Sequence, residues 1–192
     1  MKKILIGTHN KGKFREIASL LPKKYKKISP LTLNIPSPKE TGKTFSSNSK
    51  LKANFFSKFT NYPVISDDSG LCVKSMNNKP GIYSARLAKK FGSFSKAMDY
   101  ILKKIQKKRN RNATFICSLT FKFPKKKPVT AIGKINGQIS QKKVGINGFG
   151  YDPIFLPQNK KITFGQMKKN QKMKIDHRSI AFKKLKKKIK IL

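Results

Sequence analysis

Residues 111–123, RNATFICSLTFKF, place Phe115, Cys117, Leu119, Phe121 and Phe123 at every second position. Only an extended chain turns successive side chains to opposite faces, so this stretch reads as a long strand with one face in a core. Any fold for the chain has to bury that face. Near the start, KKILIG is a shorter strand ending at Gly7. Phe14, Ile17, Ala18 and Leu21 then recur at helical spacing, with Asn10 as N-cap and Pro22 closing the helix. A second helix carries Leu51, Phe55 and Phe59 on one face, and Lys52 sits one step from that stripe. YPVIS is the next strand and delivers SDDSG at its C-terminal end, where ligands collect in open α/β sheets. A third helix over about 94–106 brings Phe94, Ala97, Met98, Ile101 and Ile105 to the core. VTAIGKI is a strand, Asn136-Gly137 reads as a tight turn leading to QISQ, and a last helix starts near residue 178 with Ala181, Leu185 and Ile189 inward. Helices and strands interleave early and a long antiparallel segment occupies the middle, which is the pattern of a mixed α/β protein, one compact body or two lobes.

Length and charge narrow the function. The 192 residues suit one domain or two lobes sharing a core, and 37% hydrophobic residues with 14 Phe separate the chain from a disordered tail despite a formal charge of +39. That charge fits a nucleic-acid binder held by phosphates. It equally fits compositional drift, because Lys, Asn, Ile and Phe share A/T-rich codons. Forty-one of the 46 basic residues are lysines, and arginine occurs only at positions 15, 86, 109, 111 and 178. A dedicated reader of nucleic acid is expected to use more arginine forks, so no specific nucleic-acid partner is expected. No apolar run approaches the ~18 residues of a membrane span, and the apolar stretch of MKKILIG stops after three residues. A cytoplasmic protein without a membrane partner is expected. Cys72 and Cys117 fall in strand-like segments without metal-ligand spacing and read as buried small hydrophobes.

Acids are rare here, so their positions are informative. They are Glu16, Glu40, Asp67, Asp68, Asp99, Asp152 and Asp176. Glu16 and Asp99 fall within helices and read as surface contacts; the other five sit at loop or element ends beside glycine, histidine or aromatic residues. Adjacent Asp67 and Asp68 repel each other, and with Gly70 close by they suit a hard cation such as Mg²⁺, which is usually bound together with substrate phosphates. Asp-Ser-Gly is also common turn chemistry, so a capped turn remains open at this point. In GTHNKGK a strand ends at a glycine and a helix begins, leaving free N–H groups to attract phosphate, with Lys13 one turn in. The stretch lacks the spacing of a P-loop. GFGYDP and KMKIDHRS combine aromatic faces at Phe149 and Tyr151 with Asp152, His177 and Arg178, groups able to stack on a base and bond its edge, or equally to pack an aromatic turn. Asp176 fits the N-cap of the last helix.

Taken together, THNKGKFRE, ETGKTF, SDDSGLCV, PGIYSAR, ATFICSL, GINGFGYDPIF and DHRSIAFKKL resemble the inosine triphosphate pyrophosphatase family, the Ham1-like group, over nearly the whole chain. The resemblance implies an α/β fold: an elongated mixed β-sheet flanked by helices, with two lobes and the active-site cleft between them, in a single domain over residues 1–192. It implies a Mg²⁺-dependent hydrolase that converts ITP, dITP and XTP to the monophosphate and pyrophosphate, cleansing the nucleotide pool, and works as a homodimer. The triphosphate would meet Thr8, His9, Asn10, Lys11, Gly12 and Lys13, joined by Lys52; Glu40 and Asp68 would hold the metal, with Asp67 in support. Asp68 would orient or deprotonate the attacking water, with Lys13 and Lys52 completing the catalytic set. Phe149 would stack on the base, and Gly150, Tyr151, Asp152, Lys172, His177 and Arg178 would surround it. Ser69 and Arg86 lie in matching motifs as further binding and support residues. The chain departs from the family pattern at His9, Ser47, Gln166 and Asp176. A nucleotide phosphatase with altered base specificity and a Lys-rich RNA-binding protein are the alternative readings.

Overall fold

The computed structural model describes residues 2–189; Met1 and residues 190–192, the two ends of the expected domain, lie outside the described residues. In chain order the elements are β1 (Lys2–Gly7), α1 (Lys11–Leu20), β2 (Tyr25–Ile28), α2 (Phe45–Phe56), β3 (Val64–Val73), β4 (Lys79–Pro80), α3 (Ser84–Lys90), α4 (Phe94–Lys104), β5 (Asn112–Lys122), β6 (Val129–Ile139), β7 (Phe155–Pro157), α5 (Lys169–Ile175) and α6 (His177–Lys188). The strands form one sheet in the order β2-β1-β3-β5-β6-β7, with β4 paired to β3. β1 runs parallel to both β2 and β3, whereas β3/β4 and β6/β7 are antiparallel. The fold is therefore α/β with a mixed sheet, as expected. No helix among the described residues is long and apolar enough to cross a membrane.

Two compact units divide the chain. The first comprises 1–68, 117–133 and 178–192, and the second 69–116 and 134–177. β3, β5 and β6 each contribute residues to both. The first unit has a core in which Ile4, Ile6 and Ile65 pack with Cys117, Leu119, Phe121 and, from α6, Ala181 and Leu185. A smaller cluster in the same unit joins Leu5, Ile35, Phe56 and Val64. In the second unit, Ala97, Met98, Ile101 and Ile105 pack with Phe115, Ile154, Phe155 and Phe164. Both cysteines are buried, as expected of small hydrophobes in strands.

Local chemistry explains the element ends. Asn10 caps α1, its Oδ1 accepting from Lys13 N at 3.0 Å, and the helix stops just before Pro22. Thr44 caps α2 in a box with Ser47, each side chain taking up the other's backbone N–H. Ser47, which stands where the family often has Glu, thus keeps the reciprocal cap.

Several expectations fail for identifiable reasons. β3 does not end at the aspartates but continues to Val73, so Asp67 and Asp68 are mid-strand. Asn136-Gly137 is not a turn: both residues lie inside β6. A Cβ at Gly137 would sit 2.3 Å from the Leu156 carbonyl oxygen, so the glycine serves close backbone approach to β7. α2 does not bury Leu51, Phe55 and Phe59. Its buried face is Asn48, Ser49, Lys52, Ala53 and Phe56, and Phe59 lies beyond the helix, half exposed. Polar groups occupy that face because they find partners: Ser49 Oγ lies 2.9 Å from Ser118 Oγ and 2.8 Å from Thr120 Oγ1, both on β5. β2, β4, β7, α3 and α5 correspond to no strand or helix expected from the sequence.

Candidate active site

In the first unit, β1 and β3 run side by side with Gly7 opposite Ser66. A Cβ at Gly7 would lie 2.2 Å from Ser66 Oγ and 2.5 Å from the Phe56 ring, so the strand end tolerates only hydrogen there. The loop that follows is tied down by its own polar groups. Thr8 Oγ1 accepts from Asn10 N at 3.2 Å, and His9 Nε2 donates to the Ile35 carbonyl at 2.9 Å. The other ring nitrogen, His9 Nδ1, is buried without a hydrogen-bond partner. Lys11 is exposed and Gly12 buried at the first turn of α1.

The two aspartates of β3 face different partners, as alternation along a strand requires. Asp67 is fully buried, with Oδ2 3.2 Å from Lys13 Nζ and 3.4 Å from an Arg178 Nη. Burial works against its charge, but Lys13, Arg178 and Lys52 prevail and hold the carboxyl well below the usual carboxylate range. Arg178, itself 1% exposed, also pairs with Glu16. Glu16 is therefore not a surface residue: α1 turns it inward, where it shares the guanidinium with Asp67. Asp68 instead accepts on Oδ2 from Asn48 Nδ2 at 3.0 Å. Burial raises its carboxyl above the ordinary value and Glu40 adds to the rise, against the pull of Lys13, Lys52 and the Asn48 bond. Lys52, almost wholly buried, donates to Glu40 Oε1 at 2.5 Å. Burial disfavours its charge, yet Asp67, Glu40 and Asp68 together lift its pKa above the ordinary lysine value.

Among the described residues no group of three or more His, Cys, Asp or Glu side chains is placed to hold a metal. Glu40 and Asp68, the two carboxylates expected at the metal, are bonded to Lys52 and Asn48 respectively; two oxygen donors of this kind are what Mg²⁺ takes, with water and phosphate oxygens in its remaining positions.

The second unit holds the aromatic set. At Gly148 (φ +75°) a Cβ would lie 2.1 Å from Asp152 Oδ2, so the glycine admits the carboxylate beneath the turn. That oxygen accepts from Phe149 N at 2.8 Å and from Lys172 Nζ at 2.6 Å. The Lys172 ammonium lies 5.0 Å from the Phe149 ring centroid and 5.4 Å from that of Phe164. Phe149 and Gly150 are half-buried. Tyr151 and His177, expected to surround a base, each have partners within the second unit. The Tyr151 hydroxyl donates to the Ser84 carbonyl at 2.8 Å and its ring meets Phe94 edge-on, while His177 stacks on Phe115 at 4.7 Å. Ser69 follows Asp68 within β3, and exposed Arg86 lies over the Tyr83 ring at 4.9 Å. Asp176 is buried between α5 and α6, immediately before His177. Two residues at these networks escaped the sequence reading. Glu16 carried a usable signal, being one of seven acids, whereas Asn48 carried none in a chain crowded with asparagine.

The model of the Ham1 family matches residues 4–188. The chain is 40% identical over 189 residues to the dITP/XTP pyrophosphatase of Bacillus licheniformis, covering 96% of each, and 37% identical over 186 residues to that of Caulobacter vibrioides, again covering 96% of each. Among solved structures, the Ham1 protein of Staphylococcus aureus superposes with a TM-score of 0.87 at 36% identity over 98% of both chains. A HAM1 protein of Coxiella burnetii gives 0.88 at 30% identity over 100% of both. With that breadth of sequence and structural agreement, the chain belongs to the Ham1 family.

Proposed function

We propose that the protein is a Mg²⁺-dependent pyrophosphatase that hydrolyses dITP, ITP and XTP to the nucleoside monophosphate and pyrophosphate. The observation that carries this reading is the division of labour between adjacent carboxylates: Asp67 is locked into Lys13 and Arg178, while Asp68 is bonded by Asn48 and feels the charges of the Lys52–Glu40 pair. The names of relatives 37–40% identical to this chain support the substrate class. Mg²⁺ bound by Glu40 and Asp68 would polarise the phosphoryl group and offset charge on the leaving pyrophosphate.

The chain's own residues supply the rest. A triphosphate carries about four negative charges, which Lys13, Lys52 and the N–H groups opening α1 attract. Thr8 shapes that loop by accepting from Asn10 N, and Asn10 caps the helix. Asp67, kept ionised, fixes the Lys13 ammonium. Asp68, with its carboxyl raised, accepts the proton of a water aimed at the α-phosphorus. Phe149 offers a face to the base, and Lys172, held by Asp152, presents a donor for the 6-oxo group of hypoxanthine or xanthine. Adenine, with an amino group there, leaves that donor unpaired at a cost of about 1–3 kcal/mol. Guanine shares the oxo group, so its exclusion rests on its 2-amino group.

Product analysis tests the reading. With dITP and Mg²⁺ the expected products are dIMP and pyrophosphate in equal amounts, at higher turnover than dATP or dGTP. Stepwise release of orthophosphate would mean a phosphatase, and salt-sensitive RNA binding without turnover would mean the lysine-rich binder.

A further inference from the structure

We infer that Asn48 is a positioning residue: its buried amide clamps the Glu40 segment to Asp68. Asn48 is 0% exposed and both ends of its amide are engaged. Oδ1 accepts from Gly42 N at 2.8 Å, and Nδ2 donates to Asp68 Oδ2 at 3.0 Å. The partners dictate the orientation of the group, because exchanging its ends would set N–H against N–H and oxygen against carboxylate. Gly42 independently marks the contact. A Cβ there would lie 2.5 Å from Asn48 Oδ1, 2.9 Å from Asn48 N and 2.4 Å from Ser47 Oγ, so only glycine lets the segment approach this closely.

The helix beneath the clamp is anchored at both sides of Asn48. The Thr44–Ser47 box fixes the start of α2, and Ser49 is bonded to Ser118 and Thr120 on β5. One helical turn on, Lys52 holds Glu40, which lies two residues before Gly42. A single turn of α2 therefore governs both carboxylates: Asn48 grips Asp68 and the backbone at Gly42, and Lys52 grips Glu40. Groups that orient carboxylate ligands without touching the metal commonly change its affinity by about 10–100-fold. This consequence for Mg²⁺ rests on the function proposed above; the clamp itself does not.

Amide exchange at Gly42 in the metal-free protein reads the clamp directly, and the Mg²⁺ dependence of dITP hydrolysis reads its consequence. In Asn48→Ala the Gly42 amide is expected to exchange about 10-fold faster, as befits one lost hydrogen bond, while amides of β1 and β5 keep their protection. Half-saturating Mg²⁺ should rise about 10-fold, with kcat at saturating Mg²⁺ within about 3-fold of the parent. Gly42→Ala, which disturbs the approach without removing the Asp68 bond, should raise the Mg²⁺ requirement likewise and serves if Asn48→Ala does not fold. Unchanged Gly42 exchange in Asn48→Ala overturns the clamp. A loss of active protein at unchanged half-saturating Mg²⁺ reduces Asn48 to a structural residue and also overturns the proposal. Should the parent protein not hydrolyse dITP, the exchange arm still decides the clamp, so the two failures are distinguishable.

Discussion

The Asp152–Lys172 pair offers the sharpest energetic test of the second unit. Its atoms are 2.6 Å apart, and the side chains are 3% and 4% exposed. Lys172→Met keeps most of the lysine stem's volume but removes the charge. Asp152 is then left as a carboxylate in a dry site, bonded by Phe149 N–H but without its ammonium. Breaking one side of a buried pair costs about 3–5 kcal/mol. For a chain of this length, roughly 2–4 °C of Tm accompany each kcal/mol, so the expected fall is about 6–20 °C. Asp152→Asn combined with Lys172→Met removes both charges, and the Asn oxygen can still accept from Phe149 N. The double variant should lie within about 2 kcal/mol of the parent, well above Lys172→Met alone, because no charge is left uncompensated. Urea unfolding at pH 7, followed by circular dichroism and tryptophan-free near-ultraviolet signals, supplies the double-mutant cycle. A cost below about 1 kcal/mol for Lys172→Met, or single-variant losses that simply add in the double, would refute the reasoning.

The remaining predictions separate chemistry from scaffolding. Asp68→Asn should lower kcat by at least about 10²-fold, the scale of a positioned base. Asp67→Asn should act chiefly on stability, because it leaves Lys13 and Arg178 short of a buried counter-charge; near-parent turnover in Asp68→Asn, measured at saturating dITP and Mg²⁺, refutes the assignment. Burial raises the Tyr151 hydroxyl above its ordinary value of 10.0, so the folded state favours the neutral phenol. That contribution is complete below pH 10 and declines as pH rises from there toward the folded-state pKa. The stability gap between the parent and Tyr151→Phe, near 1 kcal/mol from the bond to Ser84, should therefore narrow above pH 10 in denaturant titrations; a constant gap to pH 11 contradicts it. We further propose a homodimer on the family resemblance, opposed by a formal +39 per subunit. Light scattering should find the dimer strengthening from 20 mM to 300 mM salt as the Debye length shrinks from about 20 Å to about 6 Å, and a monomer at every salt refutes it.

What could be read in advance tracks which physical signals are periodic. β5 was legible because Phe115 to Phe121 alternate without interruption, and α4 because its apolar residues follow a 3.6-residue period. α2 was misread for the same reason. Hydrophobic spacing selects Leu51, Phe55 and Phe59, but the buried face also holds Asn48 and Ser49, which owe their burial to partners on β3 and β5 that lie far away in sequence. Asn136-Gly137 carries turn chemistry, yet the need for close approach to Leu156 decided its fate. The candidate site groups are easier to find in the sequence than the residues that support them. Scarcity of acids singled out Glu40, Asp67, Asp68 and Asp152, whereas Glu16 was dismissed because a helix with charged residues on several sides hides which one turns inward. Tyr151 and His177 were recognisable as motif residues, but only three-dimensional packing reveals that Ser84 and Phe115 already engage them.

The point of water attack decides the chemistry. Hydrolysis of dITP in ¹⁸O-enriched water, with both products resolved by mass spectrometry, reports which phosphorus received the nucleophile. Attack at the α-phosphorus puts the label in dIMP and none in pyrophosphate. Label recovered in pyrophosphate or orthophosphate, with dIMP unlabelled, would contradict it.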